Sequence, residues 1–271
     1  MPDKKKIYFL SDFHLGAPDH ASSLEREKLL VQFLDEIKND AAEIFLVGDM
    51  FDFWYEYRKV VPKGYVRLLG KLGELTDAGI AIHFFAGNHD MWMKDYFPKE
   101  LNIPVYFKPE EFERNGKKFL IGHGDGLGPG DHGYKRLKKL FRNPVSKWLF
   151  GIFPPTLGIR LANYLSRRSR AAGLEEEIFL GEDKEWLIIY SKEVLKEKKI
   201  DFFVFGHRHL AIDYRLTSNL TTSGKGSGGE VHEARYINLV DWMLYFTYAV
   251  FDGSTMELKS YLEKDDKIIR N

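Results

Sequence analysis

Five short apolar runs, each cut off by a cluster of acids, amides and imidazoles, constrain this chain more than any other feature. They are KIYFLSDFH (6–14), AEIFLVGDMFD (42–52), IAIHFFAGNHD (80–90), KKFLIGHGD (117–125) and DFFVFGHRH (201–209). Each apolar stretch spans four to six residues and is rich in β-branched and aromatic side chains. That length and composition suit a strand buried on both faces better than a helix. Between the first three runs lie Ser23–Lys38 and Tyr65–Ala78, which repeat Leu, Val and Ile at helical spacing. Strand–helix–strand alternation implies right-handed crossovers and a parallel sheet. In such sheets ligands sit outside the carboxyl ends of the strands, which is where these polar clusters fall.

Beyond residue 100 the pattern changes. VYFKPEEFER and KKFLIGHG flank Asn115-Gly116, a pair that favours a tight hairpin turn. The stretch 235–262 alternates and contains Asp252-Gly253, so we expect antiparallel strands of a second sheet there. Residues 126–200 carry helical patterns and read as an insertion over the strand ends. The expected fold class is therefore α/β, with a core of 1–125 and 200–271 and a helical cap of 126–199. The Gly- and Ser-rich TSGKGSGGE (222–230) reads as a flexible loop, because no strand-to-helix context surrounds it. The chain shows no internal repeat.

The chain has no cysteine, which excludes disulfides and thiolate metal sites and fits a reducing compartment. The first apolar run, Ile7–Leu10, is too short for a signal-peptide core, and no later run reaches membrane-spanning length. A cytoplasmic location is the expectation. The net charge of zero hides an asymmetry: Gly126–Arg170 holds ten Lys or Arg against one acid, Asp131. A basic block beside an acidic remainder points to an anionic partner for that block.

The strand ends collect Asp12, His14, Asp49, Asp52, Asn88, His89, Asp90, His123, Asp125, His207 and His209. All are hard oxygen or imidazole nitrogen donors, a set that suits Mn²⁺, Fe or Zn²⁺. On a loop past the strand end, Asp-x-His or His-x-His can turn both side chains inward, because pleat alternation no longer applies. His20, His83 and His232 stand apart from these clusters and are expected to be hydrogen-bonded structural residues.

The order Asp12-Phe13-His14, Gly48-Asp49-Met50-Phe51-Asp52, Gly87-Asn88-His89-Asp90, Gly122-His123-Gly124-Asp125 and Gly206-His207-Arg208-His209 resembles the calcineurin-like metallophosphoesterases. The resemblance covers about residues 7–125 and 200–262, and it implies an α/β/β/α sandwich of two sheets with a helical cap insertion. It implies one metal on Asp12, His14, Asp49 and His209 and another on Asp49, Asn88, His123 and His207, with Asp49 shared. Mn²⁺ is the expected ion, with Fe or Zn²⁺ as alternatives. The pair would activate a water and clamp phosphoryl oxygens. His89 would stabilise developing charge or protonate the leaving oxygen. Asp52, Asp90 and Asp125 would orient imidazoles or loop amides.

The cap opens GLGPGDHGYKRLKKLFRNPVSKWLFGIFPP and runs on to an Arg/Ser stretch. Its basic, aromatic-rich helices suit an anionic lipid at a membrane surface. This arrangement is similar to the UDP-2,3-diacylglucosamine pyrophosphatases of lipid A biosynthesis. That resemblance implies hydrolysis of a UDP-sugar lipid to UMP and 2,3-diacylglucosamine 1-phosphate by a protein peripherally associated with the inner membrane. It makes Asn88, His89, Asp131, Tyr134, Arg167, Arg168, Ser169 and Arg170 candidate substrate contacts. One residue departs from that pattern: well-known members carry Arg after the ligand Asn, where this chain has His89. The alternatives are a soluble phosphodiesterase or phosphatase acting on nucleotides or phosphoproteins, and a silent metal-binding scaffold. A nucleic acid partner is not expected.

Overall fold

A computed structural model describes residues 5–130, 132–173, 178–220, 230–262 and 268–271. Three of the apolar runs become β1 (Lys6–Leu10), β2 (Ala41–Leu46) and β3 (Ala81–Phe85), paired in parallel. Register sets Phe9 beside Phe45 and Ile44 beside Ile82. Alternation along each strand sends Tyr8, Leu10, Ile44, Leu46, Ile82 and Phe84 to one face and Ile7, Phe9, Phe45 and Phe85 to the other. The first face is covered by α1 (His20–Ile37) and α2 (Val66–Asp77) through Leu30, Phe33, Leu34, Leu68, Leu72 and Leu75. Asp19 caps α1 by accepting from the Ser22 amide. The first turn of α2 is satisfied from its neighbour, because buried Glu27 of α1 accepts from the Arg67 and Leu68 amides.

The remaining strands are β4 (Val105–Tyr106), β5 (Glu110–Arg114), β6 (Lys117–Ile121), β7 (Phe202–Phe205), β8 (Ile212–Leu220), β9 (Glu230–Asn238), β10 (Thr247–Phe251), β11 (Met256–Ser260) and β12 (Ile269–Arg270). They complete two six-stranded sheets, β11-β10-β1-β2-β3-β4 and β12-β8-β9-β7-β6-β5. The Asn115-Gly116 hairpin forms as expected, with Arg114 opposite Lys117 and both turn residues at positive φ. Two expectations are corrected. Val105–Tyr106 leaves the hairpin and pairs with β3, so the hairpin strand starts only after Pro109. The stretch 235–262 is also split: β9 lies in the second sheet, whereas β10 and β11 extend the first sheet beside β1. Ala249, Phe251, Met256 and Leu258 still face the core between the sheets. Alternation gave their face but not their hydrogen-bonding partner.

The insertion contains α4 (His132–Arg142), α5 (Pro144–Ile152) and α6 (Pro155–Gly173), after a short α3 (Tyr96–Glu100), and then α7 (Trp186–Leu195). Helix α7 does not behave as cap. Its Leu187, Ile188 and Leu195 are fully buried against Leu120, Phe203, Phe205, Ile212 and Leu216 on the outer face of the second sheet. It forms the fourth layer of the α/β/β/α sandwich, so we end the proposed cap before α7 instead of at residue 199. The Gly/Ser loop of 222–229 lies outside the described residues.

If α7 is part of the core, Leu187→Ala costs about 2–5 kcal/mol of stability in urea denaturation. A loss no larger than that of a surface substitution, about 0.5 kcal/mol, would return α7 to the cap.

Candidate metal centre

The chain leaves the carboxyl ends of β1, β2, β3, β6 and β7 toward one another, and the side chains there converge. Three groups place a ligand atom of every member within 4.8 Å of the others: Asp12/His14/His209, Asp49/His123/His207 and His14/Asp49/His89. The third group joins the first two. His209 Nε2 lies 3.4 Å from Asp12 Oδ1, and His14 Nε2 lies 3.7 Å from the same oxygen. Asp49 Oδ2 is 3.2 Å from His123 Nε2 and 3.9 Å from His14 Nε2, so it faces both halves. Asn88 Oδ1 sits 3.2 Å from His123 Nε2. All seven candidate ligands are thus in one place.

The backbone is bent sharply to achieve this. Asp12, His14, Asp49, His207 and His209 take φ values of 56°, 42°, 53°, 68° and 52°, a region that side-chain-bearing residues avoid. Such conformations persist only where the surroundings over-determine them. Here the Asp12 amide donates to the Gly48 carbonyl, the His14 amide to that of Asp49, and the Trp242 amide to that of Asp12. Buried Arg26 of α1 donates to the Phe13, His14 and Ala17 carbonyls at 2.7, 2.9 and 2.5 Å, clamping the loop that carries Asp12 and His14. Two glycines allow the close approach: a Cβ on Gly87 would strike the Asp49 carboxylate, and one on Gly206 would strike Ser11 and the Asp12 carboxylate.

The donor set fits a divalent cation on a direct observation. Among the described residues, Asp12 Oδ1 and both ring nitrogens of His14 are buried with no hydrogen-bond partner, which is costly unless something else binds them. Burial opposes a charge on Asp12, but His14, His123 and His209 hold its carboxyl down to about 2. Burial also opposes ionisation of Asp49, and His123, His89 and His14 overcome it, keeping that carboxyl well below the usual range. Burial pushes His14 and His207 down to about 4. His123 and His209 go the other way. Burial resists their charge, yet Asp49 lifts His123 to about 10, and Asp241 with Asp12 lifts His209 to about 9. Buried Asp90 is raised to about 8 by desolvation and by Asp49.

The surrounding groups hold the ligands in place. Asp90 accepts the Gly87 and Met50 amides at 2.7 and 2.9 Å, tying together the loops that carry Asn88 and Asp49. His123 Nδ1 meets the Val47 carbonyl at 2.9 Å, which leaves Nε2 for the centre. Asp125 accepts the Tyr134 hydroxyl at 2.7 Å and pairs with Lys138 at 2.6 Å. Tyr134 therefore docks α4 on the loop after β6. His89 Nδ1 lies 3.0 Å from the Asp52 carbonyl and 3.1 Å from Ser166 Oγ, and Ser166 donates to the Asp52 carboxylate at 2.7 Å. Asp131 lies outside the described residues. So do the side chains of Arg167, Arg168, Ser169 and Arg170, although their backbone belongs to α6. His83 meets Tyr106 and Glu43, and His232 meets the Ile200 carbonyl, in keeping with structural roles.

Four contributors escaped the sequence reading: Ser11, Arg26, Ser166 and Asp241. Asp241 lies 3.0 Å from His209 Nδ1 and also accepts the Met243 and Leu244 amides, so it fixes the ring that faces Asp12. A signal for it existed, since YINLVD (236–241) is a sixth apolar run ending in an acid.

Two outcomes are expected. His123 and His209, raised above their ordinary 6.5, both hold protons at neutral pH, and a bound cation must displace one from each. Affinity for Mn²⁺ should therefore rise between about pH 7 and pH 9, and an unbuffered titration should acidify; a pH-independent affinity would contradict this. Asp241→Asn should weaken metal binding by about 10- to 100-fold by freeing His209, read by isothermal titration calorimetry.

A family model described as calcineurin-like phosphoesterase matches residues 5–211. Relatives named UDP-2,3-diacylglucosamine hydrolase resemble the chain over most of its length. One from Porphyromonas gingivalis is 40% identical, with the match covering 95% of this chain and 98% of the relative. One from Proteus mirabilis is 27% identical over 74% of this chain and 80% of its own. One from Histophilus somni is 24% identical over 76% and 84%. With three linked His/Asp groups at its strand ends, the chain belongs to the calcineurin-like phosphoesterase family.

Proposed function

We propose that this chain hydrolyses the pyrophosphate of UDP-2,3-diacylglucosamine or a close glycolipid analogue, releasing UMP and 2,3-diacylglucosamine 1-phosphate. The carrying observation is that Asp49 faces both His/Asp groups, in a chain 40% identical over nearly its whole length to a hydrolase named for that substrate. Two divalent cations, Mn²⁺ in our reading, would supply Lewis acidity to the phosphoryl oxygens and an acidified water. Asp12, His14 and His209 would hold one and Asn88, His123 and His207 the other, with Asp49 between them.

The protein's own residues set the rest. The Asp52 carbonyl takes the Nδ1 hydrogen of His89, so a proton arriving on His89 resides on Nε2. Ser166 and the Asp52 carboxylate keep the ring from turning. His89 is thus a group that can both bind a phosphoryl oxygen and pass on a proton.

The cap supplies the lipid side of the proposal. Among the described residues, eleven large apolar side chains between Leu137 and Leu165 are exposed, including Trp148, Leu149, Ile152 and Phe153. An apolar patch of this extent marks an interaction surface. Lys135, Lys139 and Arg142 share its first helix, a combination suited to anionic lipid. No helix among the described residues is long and apolar enough to cross a membrane, so our reading is peripheral contact with the inner membrane from the cytoplasmic side.

Purified protein with Mn²⁺ should release UMP from UDP-2,3-diacylglucosamine, and EDTA should stop it. Asp49→Ala should fall to background because both cations lose a ligand. Turnover confined to soluble phosphoesters would defeat the lipid reading, and near-normal turnover by Asp49→Ala would defeat the dimetal one.

A further inference from the structure

We infer that the buried ion pair between Arg208 and Glu185 is a positioning device that turns His207 and His209 into the two halves of the metal centre. His207 belongs with Asp49 and His123, whereas His209 belongs with Asp12 and His14. Arg208 stands between them, so one side chain bears on both halves. Strand β7 ends at Phe205, and past it no ladder fixes which way successive side chains point. His207 and His209 both adopt left-handed φ, and the Arg208 amide turns back to the Gly206 carbonyl at 2.8 Å. The geometry that sends 207 and 209 inward requires 208 to point outward.

Arg208 is held outward by Glu185, the Ile178 carbonyl and the Trp186 ring. Its Nε lies 3.0 Å from Glu185 Oε2, and its Nη2 lies 3.2 Å from Glu185 Oε1 and 2.8 Å from the Ile178 carbonyl. The guanidinium also lies over the Trp186 ring, 5.0 Å from its centroid. Arg208 is 4% exposed and Glu185 0%. Glu185 Oε1 also accepts the Leu180 amide, so the pair fastens the connection entering α7 to the metal loop.

The charge matters as much as the direction. A guanidinium is permanently cationic, and pointing inward it would compete with any cation held by its neighbours. Pairing with Glu185 on the far side of the loop compensates the charge and removes it from the centre. A lysine in its place would keep the charge but lose the two-pronged geometry that fixes the backbone between the two imidazoles.

The inference rests on the two-cation reading, and Mn²⁺ titration followed by electron paramagnetic resonance tests the two separately. Wild type, Arg208→Lys and the double variant Arg208→Met/Glu185→Met are compared. Removing one partner alone leaves a buried charge unpaired and can unfold the protein, whereas an apolar pair of similar size is tolerated. The metal-free double variant should therefore melt near the wild type. Both variants should bind Mn²⁺ about 10- to 100-fold more weakly at both sites in parallel, although neither has lost a ligand. Wild-type affinity at both sites in either variant overturns the inference, as does weakening of one site alone. A wild type that binds no Mn²⁺ overturns the two-cation reading together with it.

Discussion

Each half of the candidate metal centre is assembled across the gap between the two sheets, so the packing that sets this gap governs the site. Asp12 and His14 follow β1 in the first sheet, while their partner His209 follows β7 in the second. Asp49 follows β2, while His123 and His207 follow β6 and β7. The contacts of 3.4 Å between Asp12 and His209 and 3.2 Å between Asp49 and His123 therefore both span the seam. Beneath them lies an aromatic layer: Phe9 stacks on Phe45 at 5.2 Å and on Phe119 at 6.0 Å, and Phe119 stacks on Phe202 at 5.0 Å. Such interiors are close-packed and transmit small displacements. A cavity in this layer would be felt at the ligands above it even though no ligand is touched.

Asp49 carries the electrostatic load of the arrangement. A buried carboxylate is expensive to ionise unless it is compensated. Its compensation comes from the His89 amide at 2.8 Å and from the imidazoles of His123 and His14. That charge then acts on its neighbours, raising His123 and Asp90. Of these two, His123 is a candidate ligand, so its proton stands where a cation would bind, whereas Asp90 only supports the loops. Gly87 makes room for the carboxylate, and the left-handed backbone at Asp49 aims it.

Much of this was readable in the sequence because one physical rule wrote both the fold and the site. Runs buried on both faces must be apolar throughout, and a polar residue at their end marks where the strand stops and a loop can present side chains. That rule located β1, β2, β3, β6 and β7 and brought together all seven candidate ligands. It could not say which sheet β10 and β11 would join, because Phe251 and Leu258 fill the same inter-sheet core from either position. Nor could it place α7 against the second sheet, since a helical apolar stripe does not name its partner. Arg26 and Ser166 were hidden for a different reason. Arg26 acts from the next helix and Ser166 from one 114 residues beyond Asp52, and in either place an Arg or a Ser is unremarkable until the fold brings it to a loop.

In the cap an apolar surface is anchored but not covered. Helices α4 and α5 contain no fully buried residue. They are held by a few specific contacts: Trp92 Nε1 donates to the Phe141 carbonyl at 2.8 Å, Tyr55 donates to the Lys147 carbonyl at 2.6 Å, and Phe150 packs among Phe53, Tyr55 and Trp92. A subdomain packed for its own sake would turn its apolar stripe inward, and this one leaves Trp148, Leu149 and Ile152 facing out. The pedestal that carries the cap is also the continuation of the loop that carries Asp49 and Asp52. Ser166 closes the circuit from α6 back to Asp52 and His89. The cap and the candidate metal centre are thus joined both through one continuous segment and through Ser166.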